Sequence, residues 1–142
     1  MMELAVRTEG LVVGHGRREL TTPLDLSIMS GQLVALLGNN GIGKSTLLST
    51  LGGSIAPLAG RTLIEGQDLH GMSAQQRSRA VAMVLSLRPR TGLLRASEVV
   101  AMGRMPWTDA LGRMGPEDER IVQEAVHATG MSALRDRAFD EL

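Results

Sequence analysis

The sequence predicts an α/β fold, and three observations carry the prediction. A continuous apolar run, Leu33 to Leu37, is too short for a helix and stops at Gly38, as suits a strand buried on both faces of a sheet. A glycine-rich stretch, Gly38 to Ser45, follows it directly. Ser45 to Leu51 then opens a helix that Gly52-Gly53 closes, so the order is strand, glycine loop, helix.

The remaining elements fall in place around that unit. Leu4 to Thr8 and Leu24 to Met29 read as short strands, the second alternating Leu24, Leu26, Ile28. Arg61 to Ile64 reads as a strand with a turn at Glu65-Gly66. Ser73-Ala74-Gln75-Gln76 has capping-box spacing and starts a short helix to about Ala80. Val81 to Leu85 is a second apolar strand. Arg88 to Arg95 is broken by Pro89 and Gly92, and Ser97 to Met102 reads as helix. Pro116 at a helix start, Glu117, Asp118 and Glu119 in its first turn and Gly130 past its end frame the last helix, with Ile121, Val122, Ala125, Val126 and Ala128 as its apolar face. No repeat, low-complexity tract or internal linker interrupts the chain.

The loop carries the chemistry. Gly38-Asn39-Asn40-Gly41-Ile42-Gly43-Lys44-Ser45 matches G-x-x-x-x-G-K-[ST], with a strand before it and a helix after it, as the mechanism of that motif requires. Its glycines let successive N–H groups, roughly Gly41 to Ser45, point at phosphate oxygens, and the helix N-terminus adds favourable potential. Lys44 is placed to reach the β- and γ-phosphates, the Ser45 hydroxyl to ligate Mg²⁺, and Thr46 to face the α-phosphate. Lys44 is also the single lysine among fifteen basic residues. A chain that uses Arg everywhere else has one site with the compact ammonium.

Composition excludes several functions. With 43% hydrophobic and 21% charged residues the chain is an ordinary globular domain, and its core must be aliphatic because Trp107 and Phe139 are its only aromatics. Fifteen acidic residues balance the basic ones, which leaves no electrostatic footprint for nucleic acid. The absence of cysteine excludes disulfides and cysteine-ligated zinc and fits a reducing compartment. His70 and His127 have no partner at metal-ligand spacing and read as surface residues. Neither an export signal nor a membrane-spanning run is expected. A GTPase would need an N-K-x-D motif, which a chain with one lysine lacks. A kinase reading would have to use Arg88, Arg90 and Arg95 as a lid, and a solvated loop accounts for them more simply.

The loop as GNNGIGKSTLL, the hairpin LDLSIMSGQLVALLG before it and VVAMGRMPW at Val99 to Trp107 together resemble ABC transporter ATP-binding subunits. A helix ending in A-x-G-R-x-P and an aromatic is similar to the importer ATPases for ferric siderophores, haem and cobalamin. The resemblance covers the whole chain. It implies a P-loop NTPase fold with N-terminal antiparallel β strands, residues 1–142 forming a single truncated nucleotide-binding domain that ends before the signature loop. It also implies ATP and Mg²⁺ as cofactors, Lys44 as the catalytic residue, and ATP hydrolysis that drives import of an iron-siderophore, haem or cobalamin-like chelate. The partners would be a transmembrane permease and a second ATPase subunit, with the protein in the cytoplasm, peripheral on the inner face of the membrane. In that family an aromatic side chain near the start stacks on adenine. The aligned position is His15, which either stacks or is a solvent-exposed loop histidine.

Two departures stand out. Where the family has a glutamine that contacts Mg²⁺ and senses the permease, this chain has Ser86. The acidic strand, water-orienting glutamate, signature loop and switch histidine of the family lie downstream of the residues seen here. Asp140-Glu141 imitates the acidic pair, but Arg135, Asp136 and Arg137 stand where buried strand residues are required, and AFDEL is similar to the approach to the signature loop. The chain alone is therefore expected to hydrolyse ATP weakly or not at all. The alternatives are a non-hydrolysing nucleotide-binding or dimerisation fragment, or another P-loop NTPase.

Overall fold

The computed structural model describes residues 3–85, 90–109 and 111–142. They divide into two compact units, Met1–Met83 and Val84–Leu142.

In the first unit β1 (Leu4–Val12) is the spine. It pairs antiparallel with β4 (Ser27–Met29) on one edge and with β5 (Ala59–Ile64) on the other, and β5 continues to β6 (Gln67–Asp68), giving the order β4-β1-β5-β6. Glu65 and Gly66 both have positive φ, 48° and 79°, the backbone of a tight turn whose twist matches its two strands. That is why a two-residue Glu-Gly link suffices between Ile64 and Gln67. A two-stranded hairpin, β2 (Gly14–His15) and β3 (Arg18–Glu19), sets His15 opposite Arg18. The segment from Leu24 to Leu26 is tied to β1 by Thr8. The Thr8 hydroxyl donates to the Leu24 carbonyl at 2.8 Å and accepts from the Leu26 N–H at 2.9 Å.

The core of this unit is Leu11, Val13 and Leu47, with Leu20, Leu24 and Leu51 packed against it. Leu47 and Leu51 belong to α1 (Lys44–Leu51). Burial of that face therefore anchors the helix that follows the glycine loop to the sheet. α2 (Ala74–Ala80) starts in the capping box expected from its sequence. Ser73 Oγ accepts from Gln76 N, and Gln76 Oε1 accepts from Ser73 N.

The two apolar strands expected at 33–37 and 81–85 do not form. Among the described residues neither segment joins a sheet, and Leu33, Leu37 and Val84 are almost wholly exposed. The apolar pattern is real, but a strand buried on both faces exists only with partners on both edges. The described residues supply none. The Leu24 to Met29 strand is also shorter than expected, with Leu24 reduced to an isolated bridge to Leu11.

In the second unit α3 (Ala96–Met102) packs against α4 (Pro116–Ala128). Glu98 accepts from Arg95 N at 2.7 Å to cap α3. Asp118 accepts from Gly115 N at 3.0 Å to cap α4. Of the apolar face expected on α4, Val126 is buried and Ile121 and Val122 half-buried, whereas Ala125 and Ala128 are exposed. The segment after α4 returns to α3. Arg137 O and Arg135 O accept from Ala96 N and Ser97 N, and Phe139 N donates to Leu94 O. Ser86 lies outside the described residues, as do Arg88 and Pro89 of the expected 88–95 loop.

Candidate functional site

The glycine loop lies between segment 33–37 and the first turn of α1. Gly38, Gly41 and Gly43 all have φ in the range that side chains resist, 153°, 83° and 104°, so the backbone curls with its amides free of Cβ crowding. A Cβ on Gly43, the residue that caps α1, would lie 3.3 Å from Leu20. The Gly43 carbonyl accepts from Leu47 N at 2.9 Å, which couples the curl of the loop to the helix. No acidic residue occupies the first turn of α1, leaving its N-terminal potential unneutralised.

Lys44 folds back over the loop. Its Nζ donates to Gly38 O and Asn39 O, both at 2.8 Å, and so sits at the centre of the curl. Ser45 is exposed and Thr46 buried. The Thr46 carbonyl accepts from the Thr50 hydroxyl at 2.9 Å, and its own hydroxyl is 3.0 Å from His15 Nε2. A cavity of about 480 Å³ opens here, lined by His15, Arg18, Leu20, Asn40, Gly41, Gly43, Lys44, Ser45 and Thr46. Gly38, Asn39 and Ile42 stand in the same loop without lining it.

Seven of the ten residues singled out in the sequence thus line one cavity, and the cavity can hold a compact polyanion. Two cations, loop amides and two hydroxyls converge, and no carboxylate lines it. Arg18 and Leu20 were not singled out. The signal lay in the Gly16-Arg17 link: Gly16 has φ 59°, and a two-residue turn there pairs His15 with Arg18 and aims both at the loop.

A larger concavity of about 640 Å³ lies in the second unit along α4, bordered by Ser97, Arg120, Val126, His127 and Arg135. Arg120 there is committed to Glu117 and Glu124, which hold its charge on, and its guanidinium, hydrogen-bonded to Glu117, pulls that carboxyl below its usual range. Asp140 does not act as half of an acidic metal pair. Its carboxylate accepts from Thr91 N, the Thr91 hydroxyl and Gly92 N at 2.9–3.0 Å, and these bonds, that from Thr91 N foremost, lower its pKa. Among the described residues no cluster of three or more His, Cys, Asp or Glu could hold a metal by itself, and no helix is long and apolar enough to cross a membrane.

Known proteins resemble this chain along most of its length. The ABC transporter family model matches residues 21–142. The iron(3+)-hydroxamate import ATP-binding protein FhuC of Bacillus subtilis is 33% identical over 138 residues, covering 97% of this chain and 51% of that protein. The hemin import ATP-binding protein HmuV of Pseudomonas entomophila is 35% identical over 131 residues, covering 92% of this chain and 50% of that protein. A nucleotide-free ATP-binding cassette from an ABC transporter superposes with a TM-score of 0.77 at 21% identity, covering 98% of this chain and 59% of that one. The chain spans about half the length of the curated relatives it matches.

Proposed function

We propose, from the premise that this chain belongs to the ABC transporter family, that its glycine loop binds ATP with Mg²⁺ and that it is part of the ATP-binding subunit of an importer for an iron-siderophore or haem-like chelate. The observation that carries the nucleotide reading is the loop itself. Three glycines at positive φ, a lysine drawn into the curl and a helix start without an acidic side chain fit a triphosphate in shape and in charge.

The residues also fit the metal. A hard cation takes oxygen ligands, and Ser45 offers an exposed hydroxyl at the first turn of α1. Ser45 would hold Mg²⁺ with the phosphates supplying most of the other oxygen ligands, and the ion, when bound, would neutralise charge on the β- and γ-phosphate oxygens. Lys44 would exchange two carbonyl oxygens for phosphate oxygens and oppose charge on the transferring group. The backbone amides from Gly41 to Ser45 would orient the phosphates.

The choice of cargo rests on the relatives, whose names are those of hydroxamate and hemin import proteins, and on the segment Val99 to Trp107. A permease, a second ATPase subunit and a peripheral position on the inner membrane face belong to the same reading. Turnover is another matter. Asp140, which imitates the family's metal-holding acidic pair, spends its carboxylate on Thr91 and Gly92, and the chain is expected to bind nucleotide without efficient hydrolysis.

The test is titration of the 142-residue chain with a fluorescent ATP analogue and Mg²⁺, with Lys44→Ala alongside. Saturable binding that weakens by about two orders of magnitude in the variant is expected, the loss of roughly two charge-assisted hydrogen bonds. Equal binding by both proteins would overturn the site.

A further inference from the structure

Two segments of the 84–142 unit that lie far apart in the chain are stitched together along their length. Phe139 N donates to Leu94 O at 2.8 Å, Ala96 N to Arg137 O and Ser97 N to Arg135 O at 3.0 Å, and Arg95 bridges Ala138 antiparallel. Ala96 and Ser97 open α3, where the first amides of a helix have no partner within it, so the 135–137 carbonyls hold the start of that helix. Ala96 is fully buried, which shuts this end of the ladder off from water. The other end is exposed and rests on one carboxylate. The chain turns at Gly92, φ 66°, and two successive amides point at Asp140. Its Oδ1 accepts from Thr91 N and from the Thr91 hydroxyl, both at 2.9 Å, and its Oδ2 accepts from Gly92 N at 3.0 Å. Arg95 also approaches Asp136 at 3.9 Å, but both side chains are more than half exposed, and such a pair contributes little.

We propose that Asp140 is a positioning residue that latches segment 91–97 to segment 135–140, so that the two open and close as one body while α4 stays folded. Backbone bonds between exposed segments compete with water and are marginal one by one. Bonds to a charged acceptor are stronger, and three of them close the exposed end of the ladder. The Phe139–Leu94 bond is the next rung, because Phe139 immediately precedes Asp140 and Leu94 follows Gly92 by two residues. Release of the carboxylate therefore lets the ladder open from this end toward Ala96. A contact that draws on either segment moves both, from five residues past Ser86 at one end to the last residues of the chain at the other. The device uses no residue of the glycine-loop cavity and does not depend on nucleotide.

The experiment is amide hydrogen exchange, followed by NMR on the 142-residue chain, with thermal melts alongside. Asp140→Asn keeps the shape of the side chain but turns an NH₂ group toward one of its donors. Thr91→Val removes only the hydroxyl, and Thr91→Ser restores it. Asp140→Asn is expected to speed exchange at Thr91 and Gly92 by roughly 10- to 100-fold, as loss of hydrogen bonds to a charged group does. Ala96, Ser97 and Phe139, whose amides Asp140 does not touch, should speed up by a similar factor, and the amides of 121–128 in α4 should stay within about threefold. Thr91→Val should give the same pattern at roughly three- to tenfold, and Thr91→Ser should return to within about twofold of the unaltered chain. The proposal is overturned if only Thr91 and Gly92 exchange faster, which makes the carboxylate a local cap. It is equally overturned if α4 loosens by the same factor in both Asp140→Asn and Thr91→Val, which makes the 84–142 unit one cooperative body with no separate latch.

Discussion

Replacing Gly43 by Ala tests how the loop's shape is made. Gly43 has φ 104° and ψ 8° and caps α1, a conformation whose cost for an L residue is about 1–3 kcal/mol. The new Cβ would also lie 3.3 Å from Leu20 Cβ and Cδ1, and Leu20 packs on the Leu11, Val13 and Leu47 core, so it yields only a few tenths of an ångström. Together these give about 2–3 kcal/mol, or an affinity lower by about 30- to 150-fold if the loop must keep its curl to bind. Gly41 is the control. At φ 83° it carries comparable backbone strain, but nothing lies within 4 Å of its Cβ, so Gly41→Ala should lose only about five- to tenfold, from roughly 1 kcal/mol of strain. The assay is the fluorescent-analogue titration with urea unfolding measured in parallel, because strain can also be released by fraying the first turn of α1. Leu20→Ala in the Gly43→Ala background removes the contact and should recover part of the loss, a non-additivity expected of touching residues. If Gly41→Ala is as damaging as Gly43→Ala and the double variant is strictly additive, the Leu20 contact is irrelevant and the reasoning fails.

Other outcomes follow from the same geometry. Thr8→Val removes the hydroxyl that satisfies Leu26 N, while Leu24 O keeps the Leu11 N–H; urea unfolding should show a loss of about 1–3 kcal/mol, and an unchanged midpoint would refute the strapping role. Asp118 and Asp140 both have lowered pKa values, the first through the Gly115 N–H and then Arg104, the second through Thr91. A folded pKa below the unfolded one stabilises at pH above the unfolded value of about 3.9 and is lost as pH falls through the folded value. Circular dichroism should therefore show the 84–142 unit weakening only below about pH 4, and Asp118→Asn flattening that limb; stability that rises from pH 5 to pH 3 would contradict it. The exposed run Leu33 to Leu37 should cause association, seen as concentration-dependent sedimentation that Leu33→Lys with Leu37→Glu reduces. A monodisperse monomer that unfolds cooperatively at every concentration would count against this.

Local signals were legible wherever a short stretch contains its own cause. The α2 cap needs only Ser73 and Gln76, the Glu65-Gly66 turn needs only its own two residues and their flanking strands, and α4 needs Pro116, Asp118 and an apolar face. The buried strands were misplaced because Leu33 to Leu37 and Val81 to Leu85 advertise burial without containing the partners that would provide it. Arg104 illustrates the same limit from the polar side. It pairs with Asp118 at 2.8 Å and lies 4.4 Å over the Trp107 ring, and only the packing of α3 on α4 brings a residue fourteen positions away to it.

By itself the sequence determined the glycine loop, the lysine within it, the helix behind it and the family they belong to, because spacing along eight residues fixes which backbone amides and which cation can meet one phosphate. Only the tertiary structure decided what faces that loop. The turn at Gly16-Arg17 swings His15 and Arg18 toward α1, and the Leu11, Val13 and Leu47 core holds the helix where His15 can reach Thr46. Thirty-one residues separate that pair along the chain, and a contact at that separation is set by packing, which no local spacing encodes.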